Sequence, residues 1–355
     1  MSTQDEDGIA FSLLPEHSYE HYRLLELPAE LLGLLTADKP PALLFKSSDN
    51  TPGNSSDTNA VICSDTKSYH VRQVNTSNSL YITQPKEVPS SDHGPSSTGV
   101  QCTAKNDFTL ELLSITPHVD NVKPYIQAAL PIYSSTGHLQ SKPPVTRDQL
   151  FADIPFSYAE CLHAYEEMAC FELEQPHGCC IPSGQVKLQA WQSIMEEAAV
   201  HHLDLTGPVS VTQASNLISQ ANDLPDQVVK AVWNAMTTEN TQTQELTIDE
   251  ESCVKFLGLS KLQASTQEQG STSKSLFMAS WRDLLPEKWR NTPKLDILKG
   301  QYALVNENRD LTLAGSLAER QQQGDSGKAA SADGKSMLGA KRKWHEKFRA
   351  SKKAA

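Results

Sequence analysis

The sequence predicts an α+β fold, with a β-rich N-terminal part followed by a series of helical units. Between residues 11 and 83, short runs rich in Leu, Val, Ile and Tyr alternate with polar turn residues, which is typical of strands. From Thr146 onwards, apolar residues recur at helical spacing, which indicates amphipathic helices. An order of helices followed by short strands then recurs in three successive stretches before residue 316.

The N-terminal part contains a set of strand candidates that lie close together in sequence. Two of them flank the turn-like stretch 64–67, which predicts a hairpin. Polar linkers are predicted at 84–100 and 131–145. Only about 70 residues supply the main strands, which suggests a small barrel or sandwich whose core is marginal alone. A partner that completes the sheet would stabilise it, so we expect a β-barrel-like domain over 1–130 that partner subunits complete. The candidates are LLEL (24–27), ALLFKSS (42–48), the pair within NAVICSDTKSYHVRQV (59–74), NSLYIT (78–83) and FTLELLSI (108–115).

Two capping patterns begin the helical part. Thr146 is followed by Gln149, and Ser157 by Glu160, which is the spacing of a capping box at a helix N-terminus. CFELE (170–174) then reads as a short strand and HGCCIPSG as a Gly/Pro turn. These elements predict a first helical domain over 146–208.

Two further stretches repeat this order. The first has helix candidates at 211–221 and 224–236, a strand at 245–249 and a helix at 250–263. The second begins after a Ser/Thr-rich spacer at 265–275. That second stretch has helices at 275–285 and 292–300 and a hairpin of YALV (302–305) with LTLA (311–314). Two helices followed by a hairpin is the winged-helix order, so we predict tandem winged-helix domains over 146–208, 209–270 and 271–316.

Charge is unevenly distributed along the chain. The net charge is −12, yet residues 335–355 hold eight Lys or Arg and one acid, so the other 334 residues carry −19. Residues 317–355 are predicted to form a disordered basic tail. No apolar run approaches the roughly 20 residues of a membrane span, and the acidic N-terminus does not resemble a signal peptide.

Sequence patterns for catalysis are absent. The chain has no G-x-x-x-x-G-K-[ST] or G-x-G-x-x-G phosphate loop and no G-x-S-x-G nucleophile elbow. Paired acids such as Glu166-Glu167 are neighbours within helical patterns and point in different directions. We therefore predict a non-catalytic binding subunit that holds no cofactor.

Two groups of residues are candidates for metal binding. His177, Cys179 and Cys180 form the densest group of soft ligands, with Cys161 and Cys170 as remote additions, but no pair has the spacing of a zinc knuckle. Glu197 and His201 stand four residues apart on a predicted helix and favour a solvated contact. The seven irregularly spaced cysteines are expected to be buried free thiols in a reducing compartment, and no metal is predicted.

Nucleic-acid binding has more support. The third helical unit carries five cations within 18 residues, and the tail adds a cluster of cations with Trp344 and Phe348 on one helical face. Two other uses stay open, because winged helices also dock proteins and KRK at 341–343 fits a nuclear-import signal. The candidate residues are Arg282, Lys288, Trp289, Arg290, Lys294, Lys299, Lys341, Arg342, Lys343, Lys347 and Arg349.

The N-terminal pattern resembles the sister chromatid cohesion protein Dcc family. LLEL (24–27), AVICSDTKSYHV (60–71) and NTSNSLYI (75–82) carry the resemblance, with WRDLLPEKW…LDILKGQYALV (281–305) and TRDQLFADI (146–154). It spans about 24–314 and is specific in the two end blocks. The basic tail and the loop at 47–58 have no counterpart, which suggests a lineage-specific form that we expect to be fungal.

The resemblance implies a nuclear accessory subunit of the alternative replication factor C complex, which loads or unloads the PCNA clamp. Its partners would be the large ATPase subunit, the small cohesion subunit, DNA polymerase epsilon and DNA, with PCNA reached indirectly. The alternative is a stand-alone winged-helix transcription regulator, which would leave the β-rich half without a role. The implied partner-subunit contacts are Leu25, Leu27, Val61, Ile62, Tyr69, Val71, Leu80 and Ile82.

Overall fold

The structure is a computed structural model that describes residues 9, 11–13, 19–47, 60–88, 97–116, 118–134, 142–175, 177–221, 224–240 and 242–314. The chain divides into two compact units, residues 1–256 and 257–355. Helices and several small sheets occur together, which confirms the predicted α+β class. Within the described ranges, no helix has both the length and the apolar character needed to cross a membrane.

One mixed sheet dominates the N-terminal half of the first unit. Its strands are β1 (Phe11–Leu13), β2 (Leu24–Glu26), β3 (Leu44–Ser47), β4 (Ala60–Cys63), β5 (Ser68–Val88) and β6 (Ser97–Ser114). Their order is β1-β6-β5-β4-β3, with β2 also paired to β6. β1 and β2 run parallel to β6, whereas the β3-β4, β4-β5 and β5-β6 pairs are antiparallel. The described strands form an open sheet, so the barrel stays a prediction.

Residues on both faces of this sheet are buried near β4. Residues that pair in register share a face. On one face, Ile62 lies opposite Tyr69, and both pack with Leu112 and with Leu31 of helix α1 (Ala29–Leu35). On the other face, Val61 and Cys63 are also buried, at 1% exposure each. The sheet is therefore an inner layer of the first unit near β4.

The rest of the first unit alternates helices with short strands. Its helices are α2 (Val119–Ala129), α3 (Arg147–Asp153), α4 (Tyr158–Glu167), α5 (Gly184–Val200), α6 (Val211–Gln220), α7 (Asp226–Asn234) and α8 (Glu250–Gln269), and the unit boundary falls within α8. The strands are β7 (Ile132–Tyr133), β8 (Phe171–Glu174), β9 (His177–Pro182), β10 (Val209–Ser210), β11 (Thr237–Asn240) and β12 (Glu245–Ile248).

Both predicted capping boxes are confirmed. Thr146 and Gln149 exchange hydrogen bonds at the start of α3, and Ser157 and Glu160 do so at the start of α4. Each pair satisfies backbone N–H groups that the first helical turn leaves without an acceptor. These local patterns therefore fix where two of the helices begin.

Lys46 ties the sheet to the helical layer. Its Nζ donates hydrogen bonds to the carbonyl oxygens of Phe151, Ile154 and Phe156 at 2.7, 2.9 and 2.7 Å. These carbonyls lie in the last turn of α3 and just beyond it, where several carbonyls lack an intrahelical partner. A charged donor that satisfies three such acceptors holds edge strand β3 against this helix.

The second unit completes another set of helices and short strands. After the C-terminal part of α8 come β13 (Thr272–Ser273), α9 (Lys274–Asp283), two 3-10 helices (Glu287–Trp289 and Leu295–Leu298), β14 (Tyr302–Val305) and β15 (Asp310–Leu313). The predicted hairpin of 302–305 with 311–314 is confirmed, because β14 and β15 pair antiparallel. Gly300 has a φ of +87°, which favours glycine and marks the turn before β14.

A common strand order recurs in the three small sheets. The orders are β7-β9-β8, β10-β12-β11 and β13-β15-β14, so each time the first short strand pairs with the second strand of the following hairpin. Two α-helices separate the first short strand from the hairpin in the first two sheets, whereas α9 and two 3-10 helices do so in the third. The outer pairing is antiparallel in the second and third sheets but parallel between β7 and β9.

Four local predictions were wrong. The predicted linker 84–100 contains the ends of β5 and β6, where a two-stranded ladder pairs polar residues through their backbones. HGCCIPSG contains strand β9 and the start of α5, not only a turn. The predicted helix 292–300 is reduced to the four-residue 3-10 helix Leu295–Leu298. Part of the Ser/Thr-rich spacer predicted at 265–275 belongs to helix α8.

Candidate partner-binding and nucleic-acid surfaces

The predicted partner-binding residues fall into a buried group and a more exposed group. Val61, Ile62 and Tyr69 are at most 1% exposed, because they belong to this chain's own core. Leu25, Leu27, Val71 and Ile82 are half-buried, and Leu80 is 42% exposed. A partner would have to displace the chain's own packing to reach the first three residues. Their role at an interface stays a prediction.

Two exposed apolar side chains that were not predicted from the sequence lie on edge strand β3. Phe45 on β3 is 72% exposed and Leu44 is 56% exposed. β3 is the last strand on its side of the sheet, so its outer backbone groups face no described strand. In sequence, Phe45 looks like any core residue of a strand, and only the sheet order shows that it lies at an edge.

A second exposed apolar group lies at the far end of β5 and β6. Phe11 of β1 packs edge-to-face on Tyr81 of β5, with ring centroids 6.3 Å apart, and both rings remain about half exposed. Leu13 and Leu80 are exposed on the same strands. β1 pairs with Val100–Cys102, so this group lies on a different part of the sheet from Phe45.

The cysteines are buried within this chain. All seven are free and buried. Burial raises the pKa of Cys161 to about 12 and those of Cys179 and Cys180 to about 11, and it also raises the pKa of Cys170. A neutral thiol is a weak nucleophile and a weak metal ligand. In the described part of the chain, no group of three or more His, Cys, Asp or Glu is placed to hold a metal.

The helical Glu197–His201 pair makes a loose contact. Their nearest side-chain atoms are 3.9 Å apart, whereas His201 Nε2 lies 2.7 Å from Gln220 Oε1. The imidazole therefore has a closer neutral partner on α6 than on its own helix. This geometry matches the solvated contact that the sequence favoured.

The predicted cations of the second unit are mostly exposed. Arg282, Lys288, Arg290, Lys294 and Lys299 lie at the surface around the 3-10 helices. Among the described residues, Arg282, Lys294 and Lys299 form no ion pair. Trp289 is 7% exposed and belongs to the core of this unit. The tail candidates Lys341, Arg342, Lys343, Lys347 and Arg349 lie outside the described residues.

The boundary between the two units also separates the charges. Residues 1–256 contain 13 Lys or Arg and 33 Asp or Glu, a net charge of −20. Residues 257–355 contain 18 Lys or Arg and 10 Asp or Glu, a net charge of +8. A polyanion is therefore attracted by the second unit and repelled by the first.

Comparison with known proteins finds one family. The family model described as sister chromatid cohesion protein Dcc1 matches residues 22–314, which include strands β2 to β6 of the open sheet and all three small sheets. No curated protein matches the chain.

Proposed function

Because the chain belongs to the sister chromatid cohesion protein Dcc1 family, we propose that it is a non-catalytic accessory subunit of the alternative replication factor C complex. Membership of the family implies a role in sister chromatid cohesion and hence a chromosomal setting. On the proposed view, the ATPase of the complex lies in other chains, which load or unload the PCNA clamp. This chain links them to DNA polymerase epsilon and to DNA.

The open edge of β3 is the observation that carries this proposal. An exposed edge strand with large apolar side chains is a template for pairing with another chain and is usually covered. Phe45 and Leu44 present apolar surface at an edge of β3 that pairs with no described strand. We propose that a strand of a partner subunit adds to this edge, in the mode of β-strand addition, and closes the barrel that the sequence predicts.

Replacement of Phe45 by serine is expected to weaken assembly at least tenfold, since aromatic anchors dominate interface energies. The measurement is the amount of full-length chain that co-purifies with the large ATPase subunit and the small cohesion subunit after co-expression. Val200→Ser is the matched control, because Val200 is 68% exposed on α5. Wild-type chain that fails to co-purify would contradict the proposed function. Equal recovery of both variants would contradict the edge contact alone.

The three small sheets are proposed to be winged-helix modules. Their common strand order, with the first strand beside the second hairpin strand, supports this proposal. The exposed cations of the third module and the positive charge of residues 257–355 favour contact with DNA or with an acidic face of polymerase epsilon. We place the DNA contact in this module because the first two lie in the acidic unit.

Removal of three cations from the third module is expected to reduce the salt dependence of DNA binding. The change is Arg282→Gln with Lys294→Gln and Lys299→Gln, and each lost phosphate contact lowers the slope of log K against log salt by about 0.9. The control replaces the exposed Lys39, Lys86 and Lys230 of the first unit with Gln. An equal slope in all proteins would assign this surface to polymerase or another protein. A strong sequence preference of the chain alone would favour a transcription regulator.

A further inference from the structure

A cavity lies within the first unit where the sheet meets the helices. Its volume is about 320 Å³, and it is formed between the turn that joins β4 to β5, the start of α2 and one side of α4. Its lining is divided by chemistry. The apolar part, here called the floor, consists of Val119, Val122 and Ala159, and the polar part, here called the rim, consists of Thr66, His118, Glu160 and His163.

Glu160 gives the cavity its charge. One carboxylate oxygen, Oε2, accepts hydrogen bonds from Ser68 Oγ at 2.5 Å, from Ser157 Oγ at 2.6 Å and from Ser157 N at 3.0 Å. The second oxygen, Oε1, accepts none from the described residues. The carboxylate is thus held in place by one oxygen while the other keeps its full acceptor capacity.

The cations near the cavity are already paired with other acids. Lys67 Nζ lies 2.5 Å from Glu30, outside the cavity lining. Lys123 Nζ bridges Asp120 at 2.9 Å and Glu167 at 2.8 Å. Among the described residues, no lysine or arginine lines the cavity, so no side-chain cation there offsets the charge of Glu160.

Hydrogen bonds within the chain hold the walls of the cavity in place without a ligand. The turn beside Thr66 is closed by a hydrogen bond from Ser64 N to Lys67 O at 2.9 Å. Ala159 N donates to Asp65 O at 3.1 Å, which joins this turn to the first turn of α4. A site that needs no rearrangement loses less free energy on binding.

We propose that this cavity binds a lysine or arginine side chain from a protein partner. The methylene stem would lie on Val119, Val122 and Ala159, and the charged head would reach Oε1 of Glu160. Long basic side chains bury their stems on apolar surface while the charge stays at a polar rim. An apolar floor with a single carboxylate matches that division more closely than it matches a metal ion, which requires several ligands.

The test uses short blocked peptides and the full-length chain with methyl-labelled valines. The probes are acetyl-Ala-Arg-Ala-amide, its lysine counterpart, and two uncharged counterparts that carry citrulline or norleucine. The arginine or lysine peptide is expected to shift the methyl signals of Val119 and Val122 saturably. The uncharged peptides are expected to bind about tenfold more weakly, since they lack the charge-assisted hydrogen bond.

Two variants and one control locate the contact. Glu160→Gln keeps a capping-box residue at the start of α4 but removes the charge, so it should lower affinity for the basic peptides about tenfold. Ala159→Leu fills the floor and should abolish the shifts. Glu166→Gln changes the same charge on an exposed part of α4 and should leave binding unchanged. Citrulline or norleucine binding as tight as arginine, or Glu160→Gln binding like wild type, would overturn the proposal.

Discussion

Replacement of Gly258 by alanine is expected to destabilise the second unit by about 2–3 kcal/mol, the cost of an overpacked core. A Cβ at Gly258 would lie 2.5 Å from Cε2 and Cζ2 of Trp281 and 2.9 Å from its Nε1. Trp281 is fully buried and packs on Phe277 with ring centroids 5.5 Å apart, so the indole ring has no free space into which it can move. The clash outweighs the gain of about 1 kcal/mol that alanine brings inside a helix.

Hydrogen exchange of peptides from 272–285 measures this effect, because faster exchange there reports opening of the second unit. Gly33→Ala is the matched control on helix α1, where a Cβ would meet nothing within 4 Å. That variant is expected to gain up to about 1 kcal/mol from helix propensity alone. Unchanged exchange in Gly258→Ala would mean that α8 and Trp281 can separate without cost, contrary to their packing in the structure.

Replacement of Lys187 by methionine is expected to stabilise the first unit by up to about 3 kcal/mol at pH 7, the equivalent of its pKa shift. Lys187 is 5% exposed, and its ammonium makes no hydrogen bond or ion pair with the described residues. Its Nζ lies 5.5 Å from the ring centroid of Phe256, a weak substitute for water. The pKa of Lys187 is lowered to about 8, mainly by burial; Cys170 opposes this shift and the charge of Lys123 adds to it.

The pH dependence gives a second measure of the same effect. The unfolded chain holds the Lys187 proton up to its ordinary pKa of 10.5, whereas the folded chain releases it near pH 8. Stability therefore carries the full penalty below pH 8 and rises as pH increases from about 8 to 10.5. Urea unfolding across this range should show the rise in wild type and its loss in Lys187→Met. The exposed Lys230→Met is the control, and a destabilised Lys187→Met would show that the ammonium–ring contact outweighs burial.

Local sequence signals predicted the elements whose cause is local. Thr146 with Gln149 and Ser157 with Glu160 satisfy helix N-termini within four residues, so the sequence alone identifies them. The hairpin around 64–67 and the last hairpin likewise depend on turn residues next to their strands. By contrast, β7, β10 and β13 have two residues each and exist only because a distant strand pairs with them. No periodicity can reveal a strand of that length.

The candidate surfaces were harder to predict for the same reason. Val61 and Phe45 have similar strand contexts in sequence, yet Val61 is 1% exposed and Phe45 is 72% exposed. The difference arises because α3 and α4 cover part of the sheet from more than 80 residues away, as the bonds of Lys46 and Ser68 show. The cavity at Glu160 has the same long-range origin, since its walls come from three separate parts of the chain. The exposed cations near Arg282 were predictable because charge is visible in sequence.

The bonds of Lys46 also affect how the chain is made. Its three acceptor carbonyls lie 105, 108 and 110 residues further along the chain. At a synthesis rate of about 5–20 residues per second, strand β3 emerges from the ribosome roughly 5–20 s before the carbonyls that anchor it. During that interval Val61 and Cys63 have no second layer, and the edge of β3 has no anchor. The nascent N-terminal half is therefore expected to need protection by chaperones, or early binding to its partners, during synthesis.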